Sequence, residues 1–304
     1  MDGLRVVRDL EEARSLWEAI MPREMITDLW EVRSSFHRHF SRPIHFLVEE
    51  TGGRLSGLLP LSWVEEQGCY AFFPGETWKG RTWLEQNILT ARDPERLLAA
   101  VPGPFHIRYL SNRSAALPAN RTVDEIGYLF RPPHFGFEFD RFMGQFSSKS
   151  IKRIGREIEA IEAMGISWRQ NRIEDFDSMV TMNVSRFGHD SYFSDPRFRR
   201  GFRDMVSFFD QQGWLRVTTV LIAGETAAVD IGVLYNGVYT LMAGGTSAFY
   251  PGIAKLINLH HMRRACEERM LEVDFLCGDF NWKKMFHLQE RPLYLLAEAG
   301  VRAA

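Results

Sequence analysis

The sequence contains little cysteine and no long apolar run. Its three cysteines, Cys69, Cys266 and Cys277, are odd in number and lack the spacing of metal ligands. This sparse set predicts a reducing, cytoplasmic environment and no metal site. No stretch approaches the roughly 18 apolar residues that cross a membrane. The first residues carry early acids and no apolar run, so we expect neither a signal peptide nor a membrane span.

The charge is balanced, with a formal net value of −2. This argues against a general nucleic-acid binder, although it leaves room for a local basic patch. Hydrophobic residues make up 45% and charged residues 25% of the chain, as in ordinary globular proteins. A length of 304 residues predicts two domains or one large one.

The first part of the chain alternates helix and strand signals. Asp9 precedes apolar residues at helical spacing, and 44–49 and 55–64 read as strands joined by a turn at 51–54. A loop-like stretch at 110–122 and Arg131-Pro132-Pro133 are boundary signals. We therefore predict an N-terminal domain of residues 1–140 and a C-terminal domain of residues 141–304.

The second part opens with a strong amphipathic helix after Ser147, whose isoleucines recur every three or four residues. Two further helices precede a three-strand meander, in which Asn236-Gly237 is a strong hairpin signal. A helix from 253 to 269 and strands at 272–276 and 293–296 follow. The order predicts an α+β fold, with mixed, mostly antiparallel sheets flanked by helices, rather than a doubly wound one.

Two features of the last third point to chemistry. The loop before the helix at Ile253 offers free backbone amides and the positive end of a helix, which can hold the phosphates of a carrier such as coenzyme A. Lys255 adds a cation one turn in. The alternative is a plain turn with Pro251 at a helix start. Asp230 stands among apolar residues of a strand, so it needs a hydrogen-bonding partner or a cavity.

Three polar groups remain open to two interpretations each. Asp279 and Lys283 could bind an acceptor and polarise an acyl group, or form a salt bridge that fixes a loop. His189, in a polar cluster after a helix, is either a site residue or a surface histidine. Basic residues on the helix after Ser147 form a solvated face or contact an anionic acceptor or tRNA; they are Lys149, Lys152, Arg153 and Arg156.

A resemblance emerges from these elements. Val273-Asp274-Phe275-Leu276-Cys277-Gly278-Asp279 followed by Trp282-Lys283, with the hairpin 213–244 and Pro251-Gly252 before a helix, resembles the FemAB-like, CelD-type branch of the GNAT superfamily. The resemblance covers about the C-terminal half, and the N-terminal half is similar to a degenerate copy. It implies two tandem GNAT-like domains, of which the C-terminal one is an acyltransferase.

The resemblance also implies roles for individual residues. The protein would move an acyl group from acetyl-CoA or another acyl-CoA to an amine or hydroxyl of a small molecule or glycan-precursor acceptor. Asp230, Asp279 and Lys283 would be catalytic, and Arg186, His189 and Tyr192 would bind the acceptor. The carrier would lie along two segments of backbone, formed by Leu241, Met242, Ala243 and Gly244 and by Gly252, Ile253, Ala254 and Lys255.

The loop around Pro251 departs from the family pattern, which is richer in glycine and carries Arg or Gln ahead of the loop. Proline lacks an amide hydrogen, so one potential phosphate donor is missing. Two other functions therefore stay open. One is an aminoacyl-tRNA-dependent Fem-type transferase, the one case in which nucleic acid is expected; the chain shows no long heptad insertion. The other is a non-catalytic GNAT-fold binding protein.

Overall fold

The computed structural model describes residues 3–278 and 280–298, with only the backbone at Asn281. The helices are α1 (Leu10–Ile20), α2 (Trp30–Phe40), α3 (Pro94–Leu98), α4 (Phe139–Met143), α5 (Ser148–Glu162), α6 (Phe176–Phe187), α7 (Pro196–Gln211), α8 (Ile253–Glu267) and α9 (Asn281–Met285). The strands are β1 (Gly3–Val7), β2 (Ile44–Thr51), β3 (Arg54–Val64), β4 (Cys69–Phe72), β5 (His106–Leu110), β6 (Thr122–Phe130), β7 (Ile166–Gln170), β8 (Leu215–Ile222), β9 (Glu225–Tyr235), β10 (Val238–Thr246), β11 (Glu272–Asp274) and β12 (Gln289–Ala297).

The chain folds into two compact units. The first comprises the chain up to Ile126, Asp195–Phe208 and the chain from Arg291 onward; the second comprises Gly127–Ser194 and Phe209–Glu290. Each unit therefore combines separate segments. The linear division into residues 1–140 and 141–304 stays a prediction.

The first unit is built on an antiparallel sheet in the order β1-β2-β3-β4. Its core packs the apolar faces of α1 and β2–β4 around Trp17, which donates from its indole to the Asp28 carbonyl at 2.7 Å. After β4 the chain forms the short helix α3 and then β5. A parallel bridge between Tyr70 and Phe105 joins the neighbourhoods of β4 and β5.

The later part of the chain, from β7 to β11, repeats this order of elements. Strands β7, β8, β9 and β10 pair sequentially and antiparallel, with α6 and α7 between β7 and β8. Helix α8 and the parallel strand β11 follow β10, and β11 pairs with β6. Along the chain, β1 to β5 and β7 to β11 thus each run strand, two helices, three strands, helix, strand, although most of α7 belongs to the first unit. The predicted α+β fold with two tandem copies is confirmed.

The two copies differ at the helix that follows their fourth strand. In the first unit this helix is α3, of five residues, whose N-terminus is capped by the Asp93 carboxylate accepting from the Arg96 amide. In the second unit it is α8, of fifteen residues, which begins at Gly252 without a side-chain cap. An acidic cap repels an anion, whereas an uncapped N-terminus attracts one. The first copy therefore lacks the uncapped helix start that the second copy has.

Within the described residues, no helix combines the length and apolar character that crossing a membrane requires.

Candidate active site

The sheet of the second unit opens between β10 and β11. The two strands pair in parallel only where Val238–Thr240 face Glu272–Asp274. Strand β10 then bulges between Leu241 and Ala243 and runs on to Thr246. The chain after Asp274 turns toward β6, where the Phe275 amide donates to the Tyr128 carbonyl at 2.9 Å. Strand β11 thus lies beside β10 as far as Thr240, and beyond it the two strands diverge.

Two glycines lie on the diverging part of β10 and face opposite sides of the sheet. A Cβ on Gly244 would stand 2.2 Å from the Asp230 Oδ1, and one on Gly245 would stand 2.5 Å from the Met179 carbonyl of α6. Both are impossible contacts. Because successive strand residues point to opposite faces, α6 covers one face here and the Asp230 side chain occupies the other.

Asp230 is buried and paired with a histidine. Its Oδ2 lies 2.9 Å from Nε2 of His261 on α8, and the two residues are 4% and 3% exposed. Burial, and then the charge of Asp230, raise the pKa of the neighbouring Tyr239 well above its usual value. The expectation that this carboxylate has a partner is therefore correct. His261 was not predicted, because two adjacent histidines on a helix give no sign of which faces inward.

The backbone predicted to lie along the carrier borders the opening. Leu241, Ala243 and Gly244 are half-buried, whereas Met242 is buried. Leu241, Ala243 and Gly244 pair with β9 on one side of β10, with Gly244 opposite Asp230, and Met242 forms the bulge. Backbone groups that point away from β9 beyond Thr240 face the side that β11 has left. This segment can therefore offer strand-like hydrogen bonds to an extended ligand.

The loop between β10 and α8 is partly self-bonded. Gly252 adopts φ +90°, and the Ile253 amide donates to the Tyr250 carbonyl at 3.2 Å. The Lys255 amide donates to the Gly252 carbonyl at 2.9 Å, which leaves Ala254 between two engaged amides. Pro251 and Gly252 are exposed, whereas Ile253 is buried in an apolar cluster with Ile161 of α5. An anion would meet this helix start through backbone groups.

Lys255 turns away from the loop toward α5. Its ammonium forms an ion pair with Glu157, and burial, with a smaller contribution from Arg153, lowers its pKa. Because the ammonium already has a carboxylate partner, a phosphate would have to compete with Glu157 for it. The predicted contact of Lys255 with the carrier stays a prediction.

The end of α6 is tied to the end of β10. The Asn183 Nδ2 donates to the Gly244 carbonyl at 2.8 Å, and Arg186 donates to the Thr246 hydroxyl at 2.9 Å. The Ser191 hydroxyl donates to the Asn183 Oδ1 at 2.8 Å and accepts from the Phe193 amide at 3.1 Å. Asn183 and Ser191 were missed, because a single polar residue in a helix or turn carries no pattern.

These bonds place the predicted acceptor residues. Arg186 lies at the mouth of the opening, where β10 ends. His189 is exposed and Tyr192 is half-buried, both in the short turns that Ser191 fastens to α6. The three predicted substrate residues thus lie on α6 and the turns that follow it, and Arg186 contacts the end of β10.

Lys283 is a buried clamp. Its Nζ donates to the carbonyls of Phe275, Leu276 and Cys277 at 2.9, 2.9 and 2.7 Å, and the residue is 2% exposed. An ammonium has three donors, so three carbonyls satisfy it. The contact favours the interpretation that Lys283 fixes the loop after β11. The other predicted catalytic residue of this loop, Asp279, lies outside the described residues.

Among the described residues, no cluster of histidine, cysteine and carboxylate side chains could hold a metal ion. The site instead combines the edge of β10 that β11 leaves, the start of α8 and the polar residues at the end of α6. It suits an extended, anionic ligand bound mainly by backbone, with a second ligand at Arg186.

Comparison with known proteins supports this description. Residues 148–284 match the sequence model of the acetyltransferase (GNAT) domain family. No curated protein is significantly similar in sequence.

Solved structures show the same fold at low identity. FemX aligns with a TM-score of 0.57 and 8% identity over 97% of each chain. L-PGS from Bacillus licheniformis aligns with 0.57 and 10% identity, covering 96% of this chain and 93% of that one. A GNAT-family acetyltransferase from Colwellia psychrerythraea aligns with 0.50 and 10% identity, covering 97% of this chain and 100% of that one.

The repeated element order, the diverging strands and the family match over 148–284 agree with one another. Residues 148–284 are therefore similar to the acetyltransferase (GNAT) domain family.

Proposed function

We propose that the second unit transfers an acyl group from an acyl-CoA thioester to an amine or hydroxyl of a small-molecule or glycan-precursor acceptor. The observation that carries this proposal is the divergence of β10 from β11 after Thr240, directly before an uncapped helix start. A pantetheine arm contains amide groups and can pair with the strand edge that β11 leaves. The diphosphate would then lie at the loop before α8.

The reaction would be a direct attack. The acceptor nitrogen or oxygen forms a bond to the thioester carbonyl carbon, the carbon–sulfur bond breaks, and the acceptor's proton ends on the departing thiol. Backbone donors at the β10 bulge can stabilise the oxyanion that develops during this step. The acceptor would enter past Arg186, His189 and Tyr192, on the surface that Asn183 and Ser191 hold in place.

Asp230 and Lys283 take supporting roles in this proposal. Asp230 lies on the face opposite α6 and is sealed by His261, so it shapes the strand beside Gly244. Its action as a general base stays a prediction, as does any direct action of Asp279. Lys283 holds the loop that follows β11.

Calorimetric titration with acetyl-CoA, followed by a thiol-release assay with a panel of amines, tests this proposal. We expect a dissociation constant in the range of about 1 μM to 1 mM, as for typical enzyme substrates. Hydrogen exchange should show slower exchange at 241–255 when acetyl-CoA is bound. Binding without thiol release from any acceptor would support a non-catalytic binding protein. If the titration gives no heat and exchange at 241–255 does not slow, the donor site is refuted.

A further inference from the structure

The outer face of α5 carries four cations in one stripe. Lys149, Lys152, Arg153 and Arg156 are spaced at i, i+3, i+4 and i+7, which places them on one side of a helix. All four are exposed. On the opposite side, Ile158 and Ile161 pack against α8 and the sheet. The stripe is therefore a surface feature that the core does not require.

Nothing in the described part of the chain neutralises these four charges. None of them forms an ion pair there, and the one hydrogen bond of the Arg156 guanidinium goes to the Lys152 carbonyl. The acids of α5 lie later in the helix, where Glu157 is already paired with Lys255. Like charges three and four residues apart repel one another, and cations near a helix N-terminus oppose its dipole. An anionic ligand would relieve both effects.

The stripe borders an open groove. Lys149, Ser150, Arg153, Arg156 and Glu157 line it, and its volume is about 550 Å³. Small-molecule sites occupy about 300–1,000 Å³. From Lys149 to Arg156 the helix rises by about 10 Å, a distance suited to two or three phosphates rather than to a long nucleic-acid track. The groove-lining residues include no aromatic side chain on which a base could stack, so the groove would recognise the phosphates of its ligand and not a base.

The groove lies on the same side of the sheet as the start of α8. Glu157 contacts Lys255, and a Cβ on Gly252 would stand 3.2 Å from the Ile161 side chain. Arg153 lies near enough to lower the pKa of Lys255. Helices α5 and α8 therefore run side by side in opposite directions, with the basic stripe extending away from the loop at Gly252.

We propose that this groove binds a nucleotide carrying two or more phosphates. If the proposed function is correct, this ligand is the nucleotide end of the acyl donor, whose diphosphate reaches from the loop before α8 into the groove. The affinity of the groove for the nucleotide can be measured without any acyl transfer, so the two proposals can fail separately.

The binding test uses ADP and inorganic pyrophosphate, titrated by calorimetry at low ionic strength. The double variant Lys149→Gln/Arg153→Gln removes two cations from the groove. The matched control, Arg199→Gln/Arg200→Gln, removes two exposed cations from α7. We expect the groove variant to bind ADP at least about tenfold more weakly, with a shallower salt dependence, and the control to bind as the wild type does. Equal affinities for the groove and control variants would overturn the proposal.

The transfer test compares acetyl-CoA with acetyl-pantetheine, which lacks the nucleotide. The groove variant should raise the KM for acetyl-CoA and leave transfer from acetyl-pantetheine unchanged. ADP binding that depends on the groove, with no transfer from either donor, would support the groove and refute the proposed function. Groove-dependent binding of a short single-stranded RNA with no affinity for ADP would overturn the nucleotide proposal in favour of an RNA.

Discussion

The Lys283 Nζ lies 2.7 Å from the Cys277 carbonyl oxygen, and the same ammonium also holds the carbonyls of Phe275 and Leu276. Leu276 adopts φ +57°, a left-handed conformation that is unfavourable for a leucine. The Asp274 Oδ1 accepts from the Leu276 amide at 2.9 Å. The chain after β11 is thus held in an unusual shape by one lysine and one aspartate.

Replacing Lys283 with methionine should therefore lower the free energy of unfolding. The three carbonyls would lose a charged donor. The Leu276 carbonyl would keep the Tyr128 amide at 3.2 Å, and each group left unsatisfied costs about 1–3 kcal/mol. We expect a loss of about 3–5 kcal/mol in the free energy of unfolding, measured with urea. Lys284→Met, at the exposed neighbouring position, is the control and should change stability by less than about 0.5 kcal/mol. A Lys283→Met protein with normal stability but no transfer activity would show instead that Lys283 acts directly in catalysis.

The glycines of β10 provide a second test. Gly244→Ala and Gly245→Ala would each force a methyl group into an atom 2.2 or 2.5 Å away. Overpacking of this kind typically costs about 1–3 kcal/mol. Gly155→Ala in α5 meets nothing within 4 Å and should stabilise the protein by about 0.5–1 kcal/mol. Thermal melting shows whether each of the three variants is more or less stable than the wild type. A stabilising Gly244→Ala would contradict the described packing against Asp230.

His260 makes stability depend on pH. Burial, and then the neighbouring His261, lower its pKa from 6.5 to about 4, and its ring stacks on Trp168 at 3.9 Å. Between pH 6.5 and 4 the unfolded chain binds this proton and the folded chain does not. Stability must therefore fall as the pH falls through this window, by at most about 3 kcal/mol and less where water reaches the ring.

His260→Phe keeps an aromatic ring against Trp168 and removes the proton. The urea-unfolding free energy of this variant should decline less steeply than that of the wild type between pH 6.5 and 4. Parallel curves for the two proteins would show that His260 is not responsible for the slope.

Asn183 should affect transfer more than stability. Asn183→Asp removes the amide that donates to the Gly244 carbonyl and puts a carboxylate beside that oxygen. We expect kcat/KM for the acceptor to fall by about 10- to 100-fold, corresponding to about 1.4–2.7 kcal/mol. Gln212→Glu, an exposed change of the same kind, is the control. An unchanged kcat/KM would mean that the 188–194 turns do not border the acceptor.

The sequence predicted elements whose ends carry local signals. Ser147 caps α5 by accepting from the Ser150 amide, Asp9 caps α1 in the same way, and Asn236-Gly237 forms the expected turn. Caps and tight turns depend on a few neighbouring residues, so they can be predicted without knowledge of the rest of the fold.

Helix α2 was missed for the opposite reason. Its Arg33, Ser34 and Ser35 are buried, so the polar residues that normally mark an exposed face lie in the core. Arg33 donates to the Thr27 and Phe73 carbonyls at 2.9 and 3.1 Å, and burial lowers its pKa to about 10. Phe73 lies forty residues away in sequence, and a pattern within one helix cannot reveal such a partner.

The candidate site shows the same division. The sequence located the loop before α8, the buried Asp230 and the strand that forms β11. It gave no indication that His261 pairs with Asp230, that Asn183 joins α6 to Gly244, or that Lys283 is saturated by carbonyls. Those contacts depend on how strands and helices meet in space.

The gap between β10 and β11 also bears on how this protein tolerates change. A ligand that occupies the place of a missing strand is recognised by peptide groups, which every residue carries. Side chains along Leu241–Gly244 are then constrained mainly by volume, as at Gly244 and Gly245. Such a surface can keep binding its ligand while the amino acids along it change. This agrees with the persistence of the fold in FemX at 8% identity.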